Sequence, residues 1–259
     1  MRTNLQKYTL HNGLQVLAVP HAMTQTVTVM VYVKVGSRYE TTAVNGASHF
    51  IEHLMFKGTK RRPTSLHLTK ELDRYGAEYN AYTGKDLTVY YIKIDASKTA
   101  LAIDLLHDML FKSKYDAHEV DRERGVILEE INMYEDNPGS VMEDQLEEIF
   151  FPNDPLGWNI AGPKENIRTM TREALVEYRD THYVPERVTI VVAGNISKDV
   201  PELLEKTFGK VKSPKQSGGH DYISFLPPTR TAPTVAVRNK KTEQVQLGIA
   251  FPGYQYGDA

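Results

Sequence analysis

Two histidines and a carboxylate lie within five residues of one another in Ala47-Ser48-His49-Phe50-Ile51-Glu52-His53-Leu54-Met55-Phe56. At about 100° per residue, His49, Glu52 and His53 fall within an arc of roughly 100°, while Ala47, Phe50, Ile51, Leu54 and Met55 take most of the remaining circumference. The pattern predicts a buried helix with one polar stripe. Burying two imidazoles and a carboxylate is costly unless each finds a partner, and one divalent cation held by both rings satisfies the stripe at once. Residues i and i+4 are neighbours on a helix, so both ring nitrogens can reach a single ion. The remaining histidines (His11, His21, His67, His107, His118, His182 and His220) lack such a pairing and read as surface or hydrogen-bonded residues.

The order His-x-x-Glu-His is that of the inverted zinc-peptidase signature, which makes zinc the expected ion. The chain has no cysteine, so the ion must be held by histidine and carboxylate. Two histidines leave it two positions short of tetrahedral, and a catalytic site takes one more protein ligand plus water. A second predicted helix, containing Arg122-Glu123-Arg124-Gly125-Val126-Ile127-Leu128-Glu129-Glu130-Ile131, offers carboxylates. Val120, Ile127, Ile131 and Tyr134 define its core stripe. Relative to Ile127, Glu130 lies about 60° to one side, Glu123 about 40° to the same side, and Glu129 about 160° away. Glu129 therefore faces water, whereas Glu130 and Glu123 share the flank of the buried face and either could enter a metal site. Glu123 also reads as a helix salt-bridge residue.

The elements that must position these groups alternate between strands and helices. Residues 8–10 and 14–19 read as strands around Asn12-Gly13, a strong hairpin signal. The β-branched run over 26–35 predicts a central strand. Residues 57–63 end the metal-site helix, with Gly58 as its cap and Lys57, Lys60, Arg61 and Arg62 as solvated charges. Thr64 or Ser65 opens a helix with Leu68, Leu72 and Tyr75 inside and Gly76 as its stop. Residues 78–82 and 88–94 form a hairpin. Helices follow over 98–111, 117–135 and 142–151, with Asn137-Pro138-Gly139 breaking the second from the third. A helix over 171–183, a buried strand over 188–193 and a helix over 200–208 complete the unit. Residues 212–232, rich in Pro, Gly and Ser, read as a linker, and 234–238 and 244–251 as strands that need something to pair with.

With 259 residues, a net charge of −2 and an ordinary balance of apolar and charged residues, the composition fits a globular protein without the basic footprint of nucleic-acid binding. No stretch approaches the roughly 18 apolar residues of a membrane span, and the first residues lack an apolar signal core, so a cytoplasmic location is the expectation.

His49-Phe50-Ile51-Glu52-His53 followed by Leu54-Met55-Phe56-Lys57-Gly58-Thr59, with Glu130 in Val-Ile-Leu-Glu-Glu-Ile, resembles the pitrilysin family of zinc metallopeptidases and, within it, the processing-peptidase-like branch. The resemblance runs from about Leu10 to the end of the chain and includes Gly76-Ala77-Glu78-Tyr79-Asn80-Ala81-Tyr82-Thr83 and Tyr183-Val184-Pro185-Glu186-Arg187. It implies one Zn2+ per chain held by His49, His53 and Glu130, Glu52 as the catalytic base, Glu123 as a supporting carboxylate, and a peptide substrate added as a strand beside Asn80, Ala81, Tyr82 and Thr83. The implied fold is α+β, a mixed, mostly antiparallel sheet covered by helices, forming one half of a clam-shell peptidase. Residues 1–211 would be the zinc-binding α/β domain, 212–232 a linker, and 233–259 the opening strands of an incomplete second homologous domain. The family's second half contributes an Arg and a Tyr to the substrate site, and no counterpart is identified here. Weak or absent proteolysis without a second half is therefore the expectation, with a second homologous half or a homo-oligomer as partner. A non-catalytic binding or assembly subunit of the same fold is the rival reading, which loss of the ligands would have favoured.

Overall fold

The computed structural model describes residues 4–213, Asp221, 232–241 and 243–253. Along the chain the elements are β1 (Gln6–Thr9), β2 (Gln15–Pro20), β3 (Thr26–Val33), α1 (Ala47–Met55), α2 (Ser65–Asp73), β4 (Glu78–Thr83), β5 (Thr88–Asp95), α3 (Thr99–Lys112), α4 (Ala117–Asp136), α5 (Pro138–Phe150), α6 (Lys164–Thr169), α7 (Arg172–His182), β6 (Val188–Gly194) and α8 (Val200–Lys206). The strands form one six-stranded sheet in the order β1-β2-β6-β3-β5-β4. Only the β2·β6 pair is parallel. This is the mixed, mostly antiparallel α+β sheet expected, with β3 inside it and β4 on an edge.

Period-2 patterning sets the faces. Val27, Val29, Val31 and Val33 of β3 are fully buried, while Thr26, Thr28, Met30 and Tyr32 alternate with them at partial exposure. α3 packs on β3 and β5, and α1 on β4. The Asn12-Gly13 hairpin forms as its sequence requires, with Gly13 at φ +92° and the Asn12 amide donating to the carbonyls of Phe208 and Val211, both at 2.9 Å.

Several expectations are corrected. Tyr75 and Tyr134, placed in core stripes by helix phase, are 37% and 44% exposed: each lies at or beyond the end of its helix, where the packing layer stops. Pro138 does break α4, but it does so as the first residue of α5, whose N-cap is Asn137. The short helix α6 had no periodic signal. Residues 234–238 and 244–251 carry no strand pairing. Most of 212–232, read as a linker, falls outside the described residues.

The cationic segment after α1 is also not simply solvated. Arg62 is 6% exposed and makes a bidentate pair with Glu71 at 2.8 and 2.9 Å. It also donates to Asp104 and Asp108, each at 2.9 Å. Thr59 donates to the same Asp108 carboxylate at 2.7 Å. One guanidinium thus ties the loop leaving α1 to both α2 and α3, and three carboxylates satisfy a charge that burial would otherwise penalise.

The opposite end of α1 is fixed by Glu40, which is 4% exposed. Its carboxylate accepts the N–H of Gly46 at 2.8 Å, the N–H of Ser48 at 2.7 Å and the Asn45 amide at 2.9 Å. Burial raises the Glu40 pKa, while these donors pull it down. The carboxylate caps α1 from outside the helix, where first-turn N–H groups lack partners and the dipole favours an anion. Gly46 adopts φ +100°, and a Cβ there would meet the Ala161 carbonyl oxygen at 2.6 Å, so the entry to α1 admits only glycine. Glu40→Ala strands the Gly46 and Ser48 N–H groups and leaves the Asn45 amide with the Asn159 carbonyl alone. It should lower unfolding free energy by at least about 3 kcal/mol in urea titrations; a change below about 1 kcal/mol would contradict the capping role.

Candidate metal centre

His49 and His53 project from consecutive turns of α1 toward α4. Their Nε2 atoms are 3.3 Å apart, and Glu130 Oε2 lies 3.3 Å from His53 Nε2 and 3.6 Å from His49 Nε2. These are the only three His or acidic residues among the described residues whose donor atoms could share an ion. Of the carboxylates on the flank of α4, Glu130 is thus the one that meets both rings. Glu129 is exposed.

The donor geometry fits zinc. A tetrahedral ion bonded at about 2.0–2.1 Å sets its ligand atoms about 3.3 Å apart, and the three measured separations are 3.3, 3.3 and 3.6 Å. Two imidazole nitrogens facing each other this closely cannot both carry protons. Burial and the neighbouring His53 charge push His49 down to about 4. Burial also acts to depress His53, but hydrogen bonds to Glu123 and Glu130, together with the Glu130 and Glu52 charges, outweigh it and hold His53 at about 9. Glu130 is held low, first by its hydrogen bond to His53 and then by the two imidazole charges. A divalent cation at that point would present positive charge to both rings and the carboxylate at once.

The rings are supported unequally. His53 Nδ1 donates to Glu123 Oε2 at 3.2 Å. Glu123 is 1% exposed, and its other oxygen accepts from Lys57 Nζ at 2.7 Å. Burial raises the Glu123 pKa, but His53 and Lys57 overcome it and hold the carboxyl below its ordinary value. His49 Nδ1 is buried without a hydrogen-bond partner.

Glu52 stands outside the triangle of donors. Its Oε2 accepts a hydrogen bond from Thr83 Oγ1 at 2.5 Å. Burial raises the Glu52 pKa, and the Thr83 hydroxyl partly offsets this. Thr83, expected as part of a substrate strand, therefore also acts on the carboxylate. Asn80, Ala81 and Tyr82 lie on β4, which among the described residues pairs only with β5, and Asn80 Oδ1 accepts the Ala81 N–H at 2.9 Å. A cavity of about 550 Å³ on the far flank of α4, lined by Ile131, Tyr134, Asp144 and Trp158 among others, includes none of His49, Glu52, His53 and Glu130.

The sequence reading missed two supporting residues. Glu40 carries no local signal, because its partners are main-chain groups. Lys57 does carry one, since it lies four residues after His53 on the same face.

The family model of the insulinase family, peptidase family M16, matches residues 15–164, and that of the peptidase M16 inactive domain matches residues 169–259. The chain is 35% identical over 253 residues to the "Uncharacterized zinc protease YmxG" of Bacillus subtilis (strain 168), covering 98% of this chain and 60% of that protein. It is 38% identical over 243 residues to the mitochondrial-processing peptidase subunit beta of Bos taurus, covering 93% of this chain and 48% of that one. A protease from Helicobacter pylori superposes with a TM-score of 0.81 at 27% identity, over 85% of this chain and 54% of that one. The chain spans about half to three fifths of the length of such relatives. Among the described residues, no helix is long and apolar enough to cross a membrane.

In nitrogen-resolved spectra of the histidine rings, stoichiometric Zn2+ should move the His49 and His53 signals and leave the other histidines in place. Shifts confined to exposed rings such as His67 and His118, with the pair unmoved, would contradict the assignment of the centre.

Proposed function

The chain belongs to peptidase family M16, and on that footing we propose that it is the metal-binding half of a zinc endopeptidase acting on peptides or unfolded polypeptides. The observation that carries this reading is the near-equilateral triangle of His49, His53 and Glu130 donors, with a separate buried carboxylate, Glu52, beside it. Three protein ligands are the set of a catalytic zinc site, which keeps a fourth position for water or substrate; structural sites are closed by four. In this reading each chain binds one Zn2+ through His49, His53 and Glu130.

Zinc held there supplies Lewis acidity, polarising a peptide carbonyl and making a water easier to deprotonate. Glu52 accepts the proton that the water loses as its oxygen attacks the carbonyl carbon. The same carboxyl then delivers that proton to the amide nitrogen as the C–N bond breaks, leaving a carboxylic acid, which ionises in solution, and an amine. Burial favours this cycle by raising the affinity of Glu52 for the proton it must hold between the two steps. Thr83 fixes one carboxylate oxygen and leaves the other for the water. Glu123 supports His53 through Nδ1.

The substrate adds to β4 at Asn80, Ala81, Tyr82 and Thr83. Main-chain bonding at a strand edge serves many sequences, which suits a peptidase of broad preference. Residues 1–211 form the zinc-binding domain, 212–232 the linker and 233–259 the start of the second homologous domain. Full hydrolysis requires that second half, whether it comes from the same protein or from another chain.

Native mass measurement should find one zinc per chain, retained in Glu52→Gln. Cleavage of an unstructured peptide in the presence of a second half should fall by at least about 100-fold in Glu52→Gln. Bound zinc without hydrolysis after the second half is supplied would overturn the peptidase reading in favour of a binding subunit.

A further inference from the structure

The metal site is part of a longer alternation of basic and acidic groups. On α1 and the turn after it, His49, His53 and Lys57 recur every four residues and so line one face. On α4, Glu130 and Glu123 are seven residues apart, two turns along one flank. Glu130 faces His49 and His53, whereas Glu123 faces His53 and Lys57, so the helices pass in opposite directions and the groups interleave as His49, Glu130, His53, Glu123, Lys57. The turn that carries Lys57 is secured by its N–H bonding the Leu54 carbonyl at 3.1 Å.

The geometry points to Lys57 as a positioning residue for the metal centre: it anchors one oxygen of buried Glu123, so that the other holds the His53 Nδ1 proton and directs the Nε2 lone pair at the ion. This rests on the zinc reading above. When His53 ligates through Nε2 its ring is neutral and can offer Glu123 only a hydrogen bond. Lys57 is then the only full positive charge among the described residues recorded in contact with the Glu123 carboxylate. Without it, Oε1 of a carboxylate that is 1% exposed has no donor, and the group is free to turn away from His53. Arginine can reach the same oxygen, but methionine cannot.

Zinc affinity of the chain itself, by competition with a chromophoric chelator, tests this without any need for hydrolysis. Lys57→Met should weaken zinc binding by about 10-fold or more, as loss of a group orienting a histidine ligand does, while Lys57→Arg stays within about threefold. Glu123→Gln should weaken binding as well, and adding Lys57→Met to it should produce no further loss, because Lys57 acts through Glu123. A cation that merely steadied the end of α1 would lower affinity equally in both backgrounds. Should Lys57→Met lose its folded circular-dichroism spectrum, Lys57→Leu, which likewise offers no donor, takes its place in the same cycle. Unchanged affinity in the neutral variant, or a loss that persists undiminished beside Glu123→Gln, overturns the inference. An unmodified chain that takes up no zinc overturns the metallopeptidase reading together with this one.

Discussion

Two imidazole nitrogens 3.3 Å apart, with a carboxylate oxygen at a similar distance from each, are tolerable in a protein interior only if something positive lies among them. The architecture keeps that arrangement from relaxing. A one-residue slip of α1 would rotate its face by about 100° and swing both rings out of reach of Glu130. The helix is held at both ends against such a slip, by Glu40 on its first N–H groups and by Arg62 on the loop that leaves it. α4 is fixed independently. Arg124 donates to the carbonyls of Ile167 and Met170 and lies 5.7 Å from the Phe50 ring centroid, which joins α4 to α6 and to the apolar side of α1. The polar cluster therefore faces a scaffold that cannot easily move away, which keeps its three donor atoms aimed at one point.

The sheet enters through Thr83. Along β4, Tyr79, Ala81 and Thr83 share one side, while Glu78, Asn80 and Tyr82 are exposed on the other. Thr83 is thus the position at which the strand meets the polar stripe of α1. Its place depends on pairing with Thr88 of β5, and on a hairpin tip held where Ser37 and Arg38 donate main-chain N–H groups to the Gly84 and Lys85 carbonyls at 3.2 and 2.9 Å. Arg38 reaches Asp86 from the same segment at 3.0 Å. The segment that runs from β3 through Glu40 to α1 therefore braces the edge strand as well as capping the helix. A substrate aligned on β4 would inherit its register from the same contacts that place Glu52.

Helix phase made much of the centre legible. A polar stripe on an apolar helix singled out His49, Glu52 and His53, and the flank of a second helix narrowed the third ligand to Glu123 or Glu130. Phase alone could not separate those two, because both lie on the correct flank and what divides them is which turn of α1 each one meets. Lys57 reads as a solvated charge because the stripe is followed only as far as Phe56, although its spacing from His53 repeats the spacing between the histidines and its Nζ meets buried Glu123. Arg62 was read as solvated because Glu71, Asp104 and Asp108 are brought to it by packing and not by proximity in the chain. Turn signals and β-branched runs identified all six strands of the sheet. Over 234–251 the chain shows no pairing, since a strand exists only where a partner supplies its hydrogen bonds.

The two family models meet between residues 164 and 169, yet the folding unit does not divide there. β6 lies in the middle of the sheet, pairing parallel with β2 and antiparallel with β3, and α7 packs on α1. A chain cut near residue 165 would leave β1 and β2 separated from β3, β5 and β4, with Val29, Val31 and Val16 exposed along the gap. It would also remove Tyr178, whose hydroxyl lies 3.1 Å from Ser48 Oγ in the first turn of α1. α8 and the Phe208 carbonyl, which accepts from Asn12 of the first hairpin, extend the same dependence toward residue 211. The candidate metal centre is assembled from residues 49–130, but the sheet and helices that hold it draw on the chain some eighty residues further, well inside the span of the second family model.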